Sequence, residues 1–80
     1  MRLDKFLKVS RLIKRRTVAN EACDTGHVTV NGKTAKASYD VNPGDILEIR
    51  FGARTLRVEV LGVGESATKA DAEAMYRELL

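Results

Sequence analysis

The chain reads as an α+β fold: two N-terminal helices packed on a small antiparallel sheet, followed by a C-terminal helix. Three observations predict it. Residues 2–14 carry apolar side chains at helical spacing; the period changes to two after Gly26; and the turn signals Asn31-Gly32 and Asn42-Pro43-Gly44-Asp45 separate short apolar runs.

In the first segment Leu3, Phe6, Leu7 and Ile13 share one side of a helical wheel, and Asp4, Lys5, Lys8 and Arg11 share the other. Asp4 in the first turn suits the helix dipole and forms an i,i+4 pair with Lys8. Ser10 is a candidate break into two shorter helices. A second helix is expected from Val18 to Asp24, with Thr17 as N-cap, a stripe of Val18, Ala19, Ala22 and Cys23, and Gly26 as the left-handed residue that ends it. Val28 and Val30 then alternate with Thr29. Asn31-Gly32 is a strong hairpin signal, so Lys33–Ala37 is expected to return as a strand. Pro43 and Gly44 set the next turn, with Asp45 anchoring it. Residues 46–51 form a strand, Gly52-Ala53 a tight turn, and Thr55–Val60 a strand with Leu56, Val58 and Val60 on one face. Residues 62–66 are the one plausible joint, dividing a body (1–62) from a C-terminal helical extension (63–80). In that extension Thr68 caps a helix running to Leu80, with Ala72, Met75, Tyr76 and Leu79 as its stripe. It carries two basic and four acidic residues from Glu65 onward, which makes it a packed appendage or a protein contact rather than a phosphate contact.

Eighty residues with 44% hydrophobic and 31% charged side chains form one small globular domain, with little room for a deep active site. No apolar run approaches a membrane span, and no secretory signal is evident, so a cytoplasmic protein without membrane contact is expected. One cysteine, Cys23, forms no internal disulfide. One cysteine and one histidine, His27, make no zinc site within this chain. Neither a metal nor a cofactor is expected. Cys23 reads as inert packing, and Tyr39 and Tyr76 as core or edge residues rather than a stacking platform. The glycines are scattered through turns and form no phosphate loop. No catalytic constellation is visible, so an enzyme is not expected.

Charge is the informative feature. Residues 1–16 hold seven basic side chains against Asp4 alone, a net +6, while residues 17–80 sum to −3. Such asymmetry points to a polyanion. Arg15 and Arg16 stand at the start of the second helix, whose free amides also favour phosphate. Arg2, Lys5, Lys8, Arg11 and Lys14 extend the same surface. His27 follows the Gly26 turn, where a partner-facing role and a plain surface position both fit. Nothing implies base-edge readout, so backbone and shape recognition of structured RNA is expected, although composition alone leaves DNA open.

Arg2-Leu-Asp-Lys-Phe-Leu7, Ser10-Arg11, Lys14-Arg-Arg-Thr17, Gly26-His-Val-Thr-Val-Asn-Gly32 and Asn42-Pro-Gly-Asp45 together resemble the S-four (alpha-L) RNA-binding domain over roughly residues 1–60. Among stand-alone members, Ile49-Arg-Phe-Gly52 and the chain length are most similar to the RqcP-like family. That resemblance implies a factor in bacterial ribosome-associated quality control. Such a factor binds large-subunit rRNA and peptidyl-tRNA on an obstructed large subunit. It supports alanine tailing by an RqcH-type partner and is a monomer when free. Carried over by motif, Arg2, Lys5, Arg11, Lys14, Arg15 and Arg16 are the candidate RNA contacts. His27 stands where relatives place a basic or polar residue. Other readings are a heat-shock-type factor that rescues aborted subunits without tailing, a general structured-RNA-binding module, an RNA-modifying enzyme fragment, a metabolite-coupled regulator, for which no pocket motif is seen, and a protein–protein module.

Overall fold

The computed structural model describes residues 1–64 and 68–79. Glu65 and Ser66, part of the expected joint, and Leu80, the expected helix end, lie outside the described residues.

The first helix, α1, spans Leu3–Val9 and ends at Ser10. Arg11 then takes φ 63°, the left-handed conformation usually given to glycine. Its amide still closes onto the Lys8 carbonyl at 3.0 Å, and Ser10 Oγ donates to the Leu7 carbonyl at 3.3 Å. The segment thus breaks where Ser10 marked it. Ile13 lies beyond the helix yet is buried, its amide donating to the Leu7 carbonyl at 3.0 Å. The second helix, α2, spans Arg16–Asp24, with Arg15 at the N-cap position. Thr17 is therefore inside the first turn and is not the cap, because the chain is already helical at Arg16. At the other end His27 N–H reaches the Ala22 carbonyl (2.9 Å) and Gly26 N–H the Cys23 carbonyl (3.1 Å). This is the Schellman pattern that needs a left-handed residue, here Gly26 at φ 82°.

Strands β1 (Val28–Val30), β2 (Lys33–Thr34), β3 (Ile46–Phe51) and β4 (Arg54–Val60) form antiparallel neighbours. Asn31 (φ 53°) and Gly32 (φ 87°) make the primed turn that an Asn-Gly pair favours. The return strand β2 is two residues long, shorter than the expected Lys33–Ala37, because the chain leaves the sheet to meet the N-terminus. The Leu3 amide donates to the Tyr39 carbonyl (2.8 Å) and the Asp4 amide to the Ala37 carbonyl (3.2 Å). Asp45 anchors its own turn as expected, its amide donating to the Asn42 carbonyl (3.1 Å) and its Oδ2 accepting from the Asn42 amide (3.0 Å).

The C-terminal segment differs from the expected single helix. Helix α3 covers Lys69–Glu73 only, and Tyr76–Leu79 forms β5, antiparallel to β4 with Val60 opposite Tyr76 and Arg57 opposite Leu79. The sheet order is β2-β1-β3-β4-β5. A helix to the end would have left the β4 edge without a strand partner. Thr68 does cap α3, accepting from the Asp71 amide at 3.1 Å. Ala72 and Met75 are buried as their stripe implied, Met75 from the turn between α3 and β5.

The core joins Leu3, Phe6 and Leu7 of α1 and Ala19 and Cys23 of α2 to Val28, Val30, Leu47, Ile49, Val58 and Val60 of the sheet. The helices therefore cover one sheet face. On the other, Glu48 pairs with Arg57 at 3.9 Å and Glu59 with Arg77 at 2.6 Å. No described helix is long and apolar enough to cross a membrane.

Candidate nucleic-acid interface

Asp4 organises the basic surface. The wheel places it on the outer face of α1, but it is 2% exposed. The corner between α1 and α2 folds over it. Arg2 Nε donates to Oδ1 at 3.1 Å and Arg2 Nη2 to Oδ2 at 3.4 Å. Asn20 Nδ2 donates to Oδ2 at 3.1 Å, and the Lys5 amide to Oδ1 at 2.8 Å. Arg16 lies at 3.4 Å through Nε and 3.5 Å through Nη2. The expected Asp4–Lys8 pair gives way to these closer partners. Burial alone pushes the carboxyl up; the hydrogen bonds from Arg2, Asn20, Arg16 and the Lys5 amide outweigh it and bring the pKa down to about 2. Asp4 is thus ionised at neutral pH.

Its two arginines remain about half exposed, at 51% and 48% of their side chains. A guanidinium has five N–H donors, so each arginine is held by one edge and offers the rest to solvent. Their orientation is fixed before any ligand arrives. Beside them Asp4, Arg16, Thr17 and Asn20 line an open concavity of about 350 Å³. No side chain caps the start of α2 among the described residues, and its first turn holds no acidic residue. Its leading amides and the flanking Arg15 and Arg16 therefore form a locally electropositive helix start.

The sequence-predicted residues divide into two groups. Arg2 and Arg16 meet over Asp4. Lys8, Arg11, Lys14 and Arg15 are exposed along the α1–α2 corner, and Lys5 is half-buried on α1. His27 is set apart at the opposite end of α2, about 13 Å away along a nine-residue helix at 1.5 Å per residue. Its Nδ1 sits 2.8 Å from Thr25 Oγ1, and with Ile13, Val18, Arg50 and Phe51 it lines a different groove. Sequence reasoning missed Asn20. The signal was its i,i+4 spacing from Arg16 on one helix face. Cys23 is buried, and burial pushes its thiol up to about 11, which keeps it neutral and unreactive. Among the described residues no group of three His, Cys, Asp or Glu is placed to hold a metal.

Comparison with known proteins gives the family and the fold. The S4 domain family matches residues 1–47. Proteins called RQC P-site tRNA stabilizing factor are 57% identical in Halalkalibacterium halodurans and 55% identical in Bacillus subtilis. Each aligns over 95% of this chain and covers 86% and 88% of the respective relative. The solved structure of heat shock protein 15 from Vibrio cholerae superposes with a TM-score of 0.90 at 30% identity, over 99% of this chain and 81% of that one.

Proposed function

Since the chain belongs to the S4 domain family and, within it, to the family of RQC P-site tRNA stabilizing factors, we propose that it is a non-catalytic RNA-binding factor of ribosome-associated quality control. It docks on large-subunit rRNA and steadies the P-site peptidyl-tRNA of an obstructed large subunit. By holding that tRNA in place it supports the addition of a C-terminal alanine tail by an RqcH-type partner, and it makes no bond itself. The observation that carries this reading is the pair of pre-oriented guanidiniums of Arg2 and Arg16 over buried Asp4, next to the uncapped start of α2. A phosphate entering there meets oriented donors, so little side-chain entropy is lost on binding. On the outer face of the sheet two of the arginines are engaged with Glu48 and Glu59, which supports the α1–α2 corner as the main RNA contact.

The test is sedimentation of tagged wild-type and Arg15→Gln/Arg16→Gln protein through sucrose gradients. The large-subunit fractions are probed for peptidyl-tRNA and the RqcH-type partner. Co-migration that depends on the two arginines is expected; absence of ribosomal association at low salt overturns the reading. A second reading, in which the same fold rescues aborted subunits without tailing, is motivated by the fold shared with heat shock protein 15. A reconstituted alanine-addition assay separates the two, because only the first requires this protein for tail synthesis.

A further inference from the structure

A sizeable concavity lies outside the helical corner and is not used by the function above. It is open, about 700 Å³ in volume, within the range of small-ligand sites. It is built where the β1–β2 hairpin meets the segment that returns to the N-terminus. Tyr39 lines it while also packing on the core. Asn31, Thr34 and Ser38 supply polar groups, and Lys33 and Lys36 stand exposed at the rim. Neither lysine makes an ion pair among the described residues.

The wall is rigid for a specific reason. Tyr39 Oη donates to Asp45 Oδ2 at 3.1 Å, and Asn31 Nδ2 donates to Asp45 Oδ1 at 3.1 Å. Asn31 Oδ1 in turn accepts from the Ile46 amide at 2.9 Å. One carboxylate thus locks the aromatic ring and the hairpin tip together across the turn at residues 42–45. The backbone of its lining segment is tied to the helix that carries the arginine cluster. The Leu3 amide donates to the Tyr39 carbonyl and the Asp4 amide to the Ala37 carbonyl, so the segment bearing Lys36 and Tyr39 flanks the first turn of α1.

We infer that this concavity seats a single unpaired nucleotide of the bound RNA, its base against Tyr39 and its flanking phosphates on Lys33 and Lys36. The inference deepens the RNA-binding reading and rests on it. Structured RNA displays sequence at bulged or looped-out nucleotides, and an aromatic face is the usual acceptor for such a base. One tyrosine is not a platform for a strand, but it suffices for one base. Two lysines beside it match the charge of the two phosphates that bracket a nucleotide. A duplex phosphate track on Arg2, Arg15 and Arg16 would thereby gain a fixed register from one extruded nucleotide next to it.

Two short RNA hairpins test this, one fully paired and one carrying a single bulged fluorescent aminopurine nucleotide. Binding is read by anisotropy and stacking by aminopurine quenching, with folding checked by circular dichroism. The wild-type protein is expected to prefer the bulged hairpin by about tenfold, in the range of one base–aromatic stack. The aminopurine is quenched on binding. Tyr39→Leu, which keeps the apolar packing, abolishes the preference and the quenching. Lys33→Gln/Lys36→Gln reduces the preference and decides the matter alone if Tyr39→Leu fails to fold. Arg57→Gln, on the opposite sheet face, changes neither. Equal affinity for the two hairpins with no quenching, while Arg16→Gln still weakens both, overturns the nucleotide site and leaves the RNA-binding reading intact. A bulge preference that survives both pocket variants overturns it as well. Failure to bind either hairpin at low salt overturns the nucleotide site, and only its combination with absence of ribosomal association in the gradient takes down the RNA-binding reading as well.

Discussion

A carboxylate with almost no access to water stays ionised only because of the donors around it, and at Asp4 two of those donors are also candidate RNA contacts. Its role is therefore double. The folded-state pKa, about 2, lies below the ordinary value of 3.8. The group accordingly adds stability that is fully present above about pH 4 and is lost as pH falls toward 2, worth roughly 2 kcal/mol at neutral pH. A thermal melt series should show Tm declining through that acid window, and Asp4→Asn should lose the decline. At pH 7 Asp4→Asn should lower Tm by roughly 8–16 °C, the equivalent of about 2 kcal/mol in a domain this small. An unchanged melt at neutral pH would deny Asp4 its structural part. Arg11 offers the complementary case. It holds a left-handed conformation that costs a non-glycine residue roughly 1–2 kcal/mol. Arg11→Gly should leave Tm equal or raise it by a few degrees, since glycine's own entropy cost of about 0.5–1 kcal/mol offsets part of the relief. RNA affinity should fall at the same time. A stability gain coupled to a binding loss would identify the strain as retained for the interface; unaltered affinity would remove Arg11 from it.

At the level of elements, the hairpin and the C-terminus show how far local chemistry reaches. Asn31-Gly32, Gly26 and Pro43-Gly44 each impose a backbone geometry that no tertiary contact needs to supply, so their turns were legible in the residues alone. The basic corner was legible for the same reason, since charge is a property of composition. What was not legible depends on partners far along the chain. Asp4 is buried only because Arg16 and Asn20, twelve and sixteen residues away, close over it. The last segment has a helical stripe, yet β4 presents an unpaired edge and residues 76–79 complete it. The stripe still identified the buried side chains, since Ala72 and Met75 face the core in either conformation. Met75, at the hinge of that segment, accepts from both the Leu61 and Gly62 amides through its carbonyl while its side chain fills the core. Met75→Ala should therefore cost about 2–3 kcal/mol through the cavity it leaves. Amide exchange of residues 76–79 should accelerate with it, as β5 loses its anchor. Exchange that stays slow would mean the strand is held independently of the hinge.

The whole molecule separates charge by face. Residues 1–16 carry +6 and the remainder −3. The described outer face of the sheet spends its charges on the pairs Glu48–Arg57 and Glu59–Arg77. The molecule measures 28 × 27 × 22 Å, so even its short axis exceeds twice the Debye length of about 8 Å at physiological ionic strength. Glu48 and Glu59 on the sheet are neutralised by their own arginines, and the seven cations of residues 1–16 give a polyanion approaching the helical corner a local charge larger than the net +3. Binding driven by that field must release counterions. With about four to six phosphates neutralised, affinity should fall by roughly two to three decades between about 50 and 200 mM salt. Arg16→Gln should weaken binding at every salt concentration and reduce the slope of log affinity against log salt by about one. Arg57→Gln removes an identical charge from the opposite face and should leave both quantities as they were. Equal losses for the two variants would mean that only net charge matters. A loss confined to Arg16→Gln would mean that a charge placed at the helical corner, and not the net excess of cations alone, sets how RNA is held.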